Sequence, residues 1–299
     1  MRERMRAGRF GPVEIIAGEY CQDWHMVRSC SLWIDSHSQR AIVDPAADES
    51  RLAVLVPSAT LCINSHAHAD HILFNPMFPH VPLFAPAADA HFYKPSDLEE
   101  LGPDGDLLVG SRVSRRRGQF VRTPDRLLGD GEQLAVGDVE IRVVGLPGHT
   151  PGMLGFHFPA QRLFYIADFD LTDFGPWYGN ASSDPDRFFA SARRIQAIDA
   201  DFFLTAHEVG IVRRDELEPL IARFLGHIGQ RDEVILGFLQ TGPRSLDELS
   251  QGGVAYARRA VAGSPWNRLW ERQHVRKHLS RLLARGAVGR TEQGHFYKR

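Results

Sequence analysis

Six residues, His66-Ala67-His68-Ala69-Asp70-His71, constrain this chain more than anything else in it. They follow TLCIN (60–64), an apolar run rich in β-branched residues that reads as a strand. In an extended segment alternate side chains share a face, so His66 and His68 point to one side, and Asp70 and His71 follow at the turn. Imidazole and carboxylate in that mixture suit zinc or another borderline divalent ion. Three more residues extend the pattern. His149 lies in LPGHTPG (146–152), a Gly/Pro-punctuated loop where the backbone can bring a ring close to a metal. Asp168 ends the run LFYIAD and His207 ends FFLTAH. Either alone would pass for an ordinary polar strand end, but strand ends are where α/β scaffolds carry function. Together with the first motif they make a metal site drawn from separate loops.

The rest of the chain supplies such a scaffold. VEIIAG (13–18), CSLWID (30–35), RAIVD (40–44), VPLFA (81–85), VEIRVVGL (139–146) and LGFHF (154–158) continue the series of short strands. DESRLAVLV (48–56) and DPDRFFASARRIQAI (184–198) have helical spacing, the second with Asp184 as cap and Pro185 in the first turn. This order predicts an α/β layered domain rather than a Rossmann repeat. Residues 92–131 are rich in Gly, Pro and charge, with Arg115, Arg116 and Arg117 adjacent, and read either as an insertion or lid over one face or as a surface loop. Beyond residue 212 the strands stop. Helical runs at 215–228, 232–240, 245–250 and 267–286 precede two short β-like runs around Glu292-Gln293-Gly294, and Ser245 with Glu248 forms a capping-box pattern. Helices followed by a hairpin are a winged-helix order, so a catalytic domain over 1–211 and a small helical, winged-helix-like domain over 212–299 are expected.

His66-x-His68-x-Asp70-His71, His149 in GHTPG, Asp168 and His207 stand in the order of the metallo-β-lactamase superfamily, which residues 13–210 resemble. IVDP (42–45) matches that family's strand-end Asp. The resemblance implies an αββα sandwich with a dinuclear site. His66, His68 and His149 would hold one metal, Asp70, His71 and His207 the other, with Asp168 bridging and Asp44 buttressing the site without ligating. Family members with this ligand set usually use zinc, though iron and manganese occur. The chemistry implied is attack by a hydroxide shared between the two ions, with Asp70 orienting it and passing a proton to the leaving group. The tail, through HLxxLxxxGxV and its hairpin, resembles the winged helix appended to some hydrolases of this fold, including a branch of single-strand endoribonucleases. Two features depart from the pattern. ILFNPMF (72–78) stands where family nucleases and thioesterases often carry Gly-Gly, and ADFDLTDFGPWYG (167–179) attaches to no substrate class. Within it, Tyr178 either bonds a substrate oxygen at the site edge or packs with Trp177.

Composition limits the partners. No apolar run approaches the roughly 20 residues that span a bilayer, and the basic start MRERMRAGRFGPVEI has no apolar core behind it, so neither a membrane partner nor a secretory leader is expected. Cys21, Cys30 and Cys62 are odd in number and lack metal spacing, which fits reduced thiols and a cytoplasmic setting. Residues 251–299 hold 11 Lys and Arg against 2 Asp and Glu, a net +9 against −11 for the first 250. That asymmetry fits either a nucleic-acid partner or a solvated basic helix face. The expected function is hydrolysis of a small ester, thioester or lactone, with phosphodiester cleavage of nucleic acid bound by residues 251–299 as the alternative. A homo-oligomer is compatible with the sequence. Redox di-iron members of the superfamily carry Glu where His68 stands, and mono-iron members lack the second-site ligands present here. The intact ligand set also argues against a DNA-binding regulator with a dead site.

Overall fold

Period-two burial organises the first half of the protein. The computed structural model describes residues 7–21, 26–93 and 121–299. The first sheet has seven strands: β1 (Gly8–Phe10), β2 (Val13–Ile16), β5 (Ser31–Asp35), β6 (Arg40–Val43), β7 (Leu61–Ile63), β8 (Leu83–Pro86) and β9 (Arg126–Leu128), in that spatial order. A small hairpin, β3 (Tyr20–Cys21) with β4 (Met26–Val27), interrupts the sequence. Pairing is antiparallel from β1 to β6 and parallel from β6 to β9. Leu32, Ile34, Ala41 and Val43 point into the space between the sheets. Trp33 and Ile42, one residue out of phase, face the outer layer with Leu52 and Leu55 of helix α1 (Glu49–Leu55), whose N-terminus Asp48 caps.

The second sheet has six strands: β10 (Gln133–Val136), β11 (Val139–Gly145), β12 (Leu154–Phe158), β13 (Leu163–Tyr165), β14 (Phe202–Leu204) and β15 (Ile211–Arg213). All its pairs are antiparallel except β13 with β14. After the one-turn helix α2 (Ala69–Ile72), helices α3 (Arg187–Ala197) and α4 (Arg214–Phe238) pack on this sheet through Phe188, Ile195, Ile221 and Phe224. The result is an α/β sandwich of two mixed sheets between helical layers. Helix α3 begins at Arg187 rather than at the expected Asp184 cap, because Asp184 turns its carboxylate to the backbone N–H of Asp186 instead. Of the stretch read as an insertion or lid, residues 94–120, with Arg115, Arg116 and Arg117, lie outside the described residues. Its end is no insertion, since Arg126–Leu128 pairs with β8 as the sheet edge.

Helix α4 corrects a second expectation. The runs at 215–228 and 232–240 are one continuous 25-residue helix. Leu217, Ile221, Phe224 and Ile228 belong to the main core, while Ile235 starts a separate apolar cluster. That cluster is completed by α5 (Leu246–Gln251), α6 (Arg258–Gly263), α7 (Pro265–Ala284) and the hairpin β16 (Val288–Arg290) with β17 (Phe296–Lys298). The Ser245–Glu248 capping box closes in both directions at the start of α5.

Candidate metal centre

Four chain segments deliver the predicted residues to one end of the sandwich. β7 runs into Ser65 and the histidine motif, the β11–β12 loop carries His149, and Asp168 and His207 follow β13 and β14. These are carboxyl ends of neighbouring strands, the usual place for a site in an open α/β sheet. The turn at His149 depends on two glycines. A Cβ on Gly148 (φ 143°) would lie 2.7 Å from Phe188, and one on Gly152 would lie 2.6 Å from the Asp89 carboxylate. Asp89 in turn accepts from the Thr150 hydroxyl (2.6 Å) and the Gly152 N–H (2.7 Å), which pins the loop.

Donor atoms of His66, His68, His149 and Asp168 form one group and those of Asp70, His71 and His207 a second, each group lying within 4.8 Å. Asp168 touches both. Its Oδ1 is 2.9 Å from His71 Nε2, and its Oδ2 is 3.0 Å from His149 Nε2, 3.8 Å from His66 Nε2 and 3.4 Å from His207 Nε2. His149 Nε2 and His68 Nδ1 are 2.7 Å apart, too close to hold two protons between them. His66 Nε2 is buried with no hydrogen-bond partner, and the buried His71 Nε2 and Asp168 Oδ1 face only each other. Desolvated polar atoms left unmatched are costly, so this donor set fits a cation. Electrostatics agree. Burial pushes His207 down, but Asp168 and Asp170 outweigh it and bring it up to about 10. Burial likewise opposes charge on His71, and Asp168 and Asp44 override it. The carboxylates thus hold cationic charge on the imidazoles, and a divalent ion would displace those protons.

Asp44 stands behind His71. Its Oδ2 accepts from His71 Nδ1 (2.9 Å), the Ser65 hydroxyl (2.6 Å) and the Tyr165 hydroxyl (2.8 Å), and its Oδ1 from the Ser65 N–H (2.7 Å). With Nδ1–H engaged, His71 presents Nε2 to the cluster. The backbone at Asp44 is left-handed (φ 47°), as it is at Ala167 (φ 46°) and Leu171 (φ 57°) on either side of Asp168. Within ILFNPMF (72–78), the stretch that departs from the family's Gly-Gly, Asn75 forms a buried amide pair with Asn64, just before the motif. We expect Asp44→Asn, which keeps the shape and loses the charge, to weaken metal binding about 10- to 100-fold. Competition against a chromophoric chelator measures this, and unchanged affinity would reduce Asp44 to a structural part.

Tyr178 is a correction. It is fully buried, and its hydroxyl meets His278 Nε2 (2.7 Å) and accepts from Arg231 Nη1 (2.8 Å), so it faces the helices and not a substrate. Sequence reasoning missed three neighbours of the cluster. Asp170 shares a possible ligand group with Asp168 and His207, and burial pushes it up to about 7. The Trp177 carbonyl faces His149 Nδ1 at 3.1 Å, and the Asn180 amide meets His68 Nε2. Their only signal was the unusual density of polar and aromatic residues after Asp168.

The comparisons agree with this geometry. A model of the metallo-β-lactamase superfamily matches residues 33–207. A hydroxyacylglutathione hydrolase from Erythrobacter litoralis is 27% identical over 128 residues, covering 42% of this chain and 47% of that protein. The chain spans about half the length of the curated relatives it matches. A metallo-β-lactamase family protein from Thermus thermophilus superposes with a TM-score of 0.74 at 20% identity, covering 96% of this chain and 99% of that one. A protein solved in a di-iron-bound form gives 0.50 at 20% identity over 70% of this chain and 98% of its own. The chain therefore belongs to the metallo-β-lactamase superfamily.

Proposed function

We propose that this protein is a hydrolase that holds two divalent ions, zinc in the first instance, and cleaves a small thioester, ester or lactone. The observation that carries the reading is the convergence of two donor groups on Asp168, with His66 Nε2 buried and unmatched and the other buried donors facing only one another. His66, His68 and His149 would take one ion, Asp70, His71 and His207 the other, and Asp168 both. Bound ions supply Lewis acidity and a water acidic enough to attack near neutral pH. The chain's own groups do the rest. Asp70 Oδ2, 3.4 Å from His207 Nε2, is the carboxylate available to take a proton from the attacking water and return it to the leaving atom. Trp177, whose ring lies 5.7 Å from His68 and 5.8 Å from Trp270, offers an apolar wall for an acyl group.

Two observations favour a small acyl substrate over nucleic acid. The relatives include proteins named hydroxyacylglutathione hydrolase. Part of the basic tail's charge is also engaged within the chain itself. Arg281 and Arg285 pair with Asp186 and Asp232, Arg272 pairs with Asp247, and Lys277 binds backbone carbonyls. In this reading the segment from residue 212 is a winged-helix-like unit that braces the site, and its separate apolar cluster supports that role. No described helix is long and apolar enough to cross a membrane. A cytoplasmic setting rests on the free buried thiols of Cys30 and Cys62.

The test is a zinc-loaded preparation assayed on a thioester, a lactone and end-labelled single-stranded RNA. Turnover of the thioester or lactone with intact RNA is expected. RNA cleavage that vanishes in His66→Ala and weakens as salt rises would overturn the reading in favour of a nucleic-acid enzyme.

A further inference from the structure

A histidine that gives one nitrogen to a metal needs a partner for the other, and that partner fixes its tautomer and orientation. Asp44 serves His71, and the Ser65 hydroxyl lies 3.0 Å from His66 Nδ1. The remaining two histidines of the first group are served by a single loop. His149 Nδ1 faces the Trp177 carbonyl, and His68, whose Nδ1 points at His149, turns its Nε2 onto the side-chain amide of Asn180. A ring that offers Nδ1 to an ion carries its proton on Nε2 and needs an acceptor there. The amide atom at His68 Nε2 is Asn180 Nδ2, and because amide oxygen and nitrogen exchange places by a simple flip, an ion on His68 Nδ1 would turn Asn180 Oδ1 to the Nε2–H.

Most of the hydrogen bonds that fix this loop come from the C-terminal helices. Arg231 of α4, almost fully buried, donates to the carbonyls of Phe174 (2.5 Å) and Pro176 (2.8 Å). His274 of α7 accepts from the Tyr178 N–H at 3.3 Å. Lys277 of α7 donates to the carbonyls of Ala181 (2.9 Å) and Ser183 (2.8 Å), on the far side of Asn180. The Trp177 indole N–H donates to the Tyr256 hydroxyl at 2.8 Å. We infer that Asn180 is the positioning residue of His68, and that the C-terminal helices set the affinity of the first metal site by clamping the loop that carries it. The inference rests on the two-metal reading above. Under it, the helical tail is part of the metal centre's support, and a disturbance at α7 is felt at one ion and not the other.

The experiment is a zinc titration of the full chain against a chromophoric chelator, repeated with cobalt(II) followed by its absorption. His149→Ala and His207→Ala assign the first and second binding classes. Asn180→Leu is expected to weaken the first class about 10- to 100-fold and leave the second unchanged. Asn180→Asp, which keeps an acceptor on Nε2, is expected to restore tight binding and the cobalt spectrum of the parent. Lys277→Met, remote from every ligand, is expected to weaken the first class severalfold. Two binding classes in the parent with no change in Asn180→Leu would overturn the inference and leave the metal reading intact. Equal losses in the Leu and Asp variants would overturn it too, because packing and not an acceptor would then matter. Should Asn180→Leu fail to fold, Asn180→Asp alone decides, and weakened first-class binding in it counts against the inference. No divalent binding by the parent would instead overturn the metal reading itself.

Discussion

Asp168→Ala should bring hydrolysis to background, a fall of more than about 100-fold, which exceeds the range typical for partners outside the ligand set. The carboxylate is the one group shared by both donor clusters, with Oδ1 on His71 and Oδ2 on His149, His66 and His207. Deleting it leaves two sets of imidazoles with no common anion. It also removes the charge that outweighs burial at His71 and His207, so both rings lose protons more readily. The fold should survive, because the carboxylate contacts only the imidazoles of the cluster and gives up no apolar packing. Circular dichroism, metal content and turnover should be read on one sample. Retained turnover in a folded Asp168→Ala chain would sink the assignment of the site.

Phe224→Ala should cost about 3–5 kcal/mol of stability, the range for truncating a buried aromatic ring. Phe224 is almost wholly buried on α4, with its ring 4.9 Å from Phe169 and 6.1 Å from Phe188. Phe169 follows Asp168 in the chain, and Phe188 lies against Gly148 beside His149, so this trio joins the long helix to two ligand loops. The expected signature is a lower urea midpoint at an unchanged m-value. A loss below about 1 kcal/mol would mean that α4 is only loosely attached to the core, contrary to the packing described.

Much of the centre was legible in the sequence because its signals are local. Strand alternation at 30–35 and 40–44 registers directly as two-sided burial, and the histidine motif needs only a strand and a turn to converge. What escaped was set by distant contacts. The runs at 215–228 and 232–240 are joined in α4 even though Gly226 and Gly229 lie inside it, where a glycine costs about 1 kcal/mol. Ile228, Arg231, Asp232 and Ile235 nonetheless lie buried on one helical face, and that burial carries the helix through. Trp177 and Tyr178 sit in a loop without periodicity, and their orientations are decided by side chains 53 to 100 positions later. No pattern within the loop records which way Tyr178 turns.

The left-handed backbone at Asp44, Ala167 and Leu171 bears on how such a protein can be improved. Each such residue costs about 1–3 kcal/mol, and glycine would relieve it. Glycine is a net relief only at Ala167, because losing the Asp44 carboxylate would strand four buried donors and losing the buried Leu171 side chain would open a cavity. A library screened for heat resistance alone would be drawn to Ala167, gaining melting temperature by loosening the turn that aims Asp168. At that one residue, endurance and readiness compete.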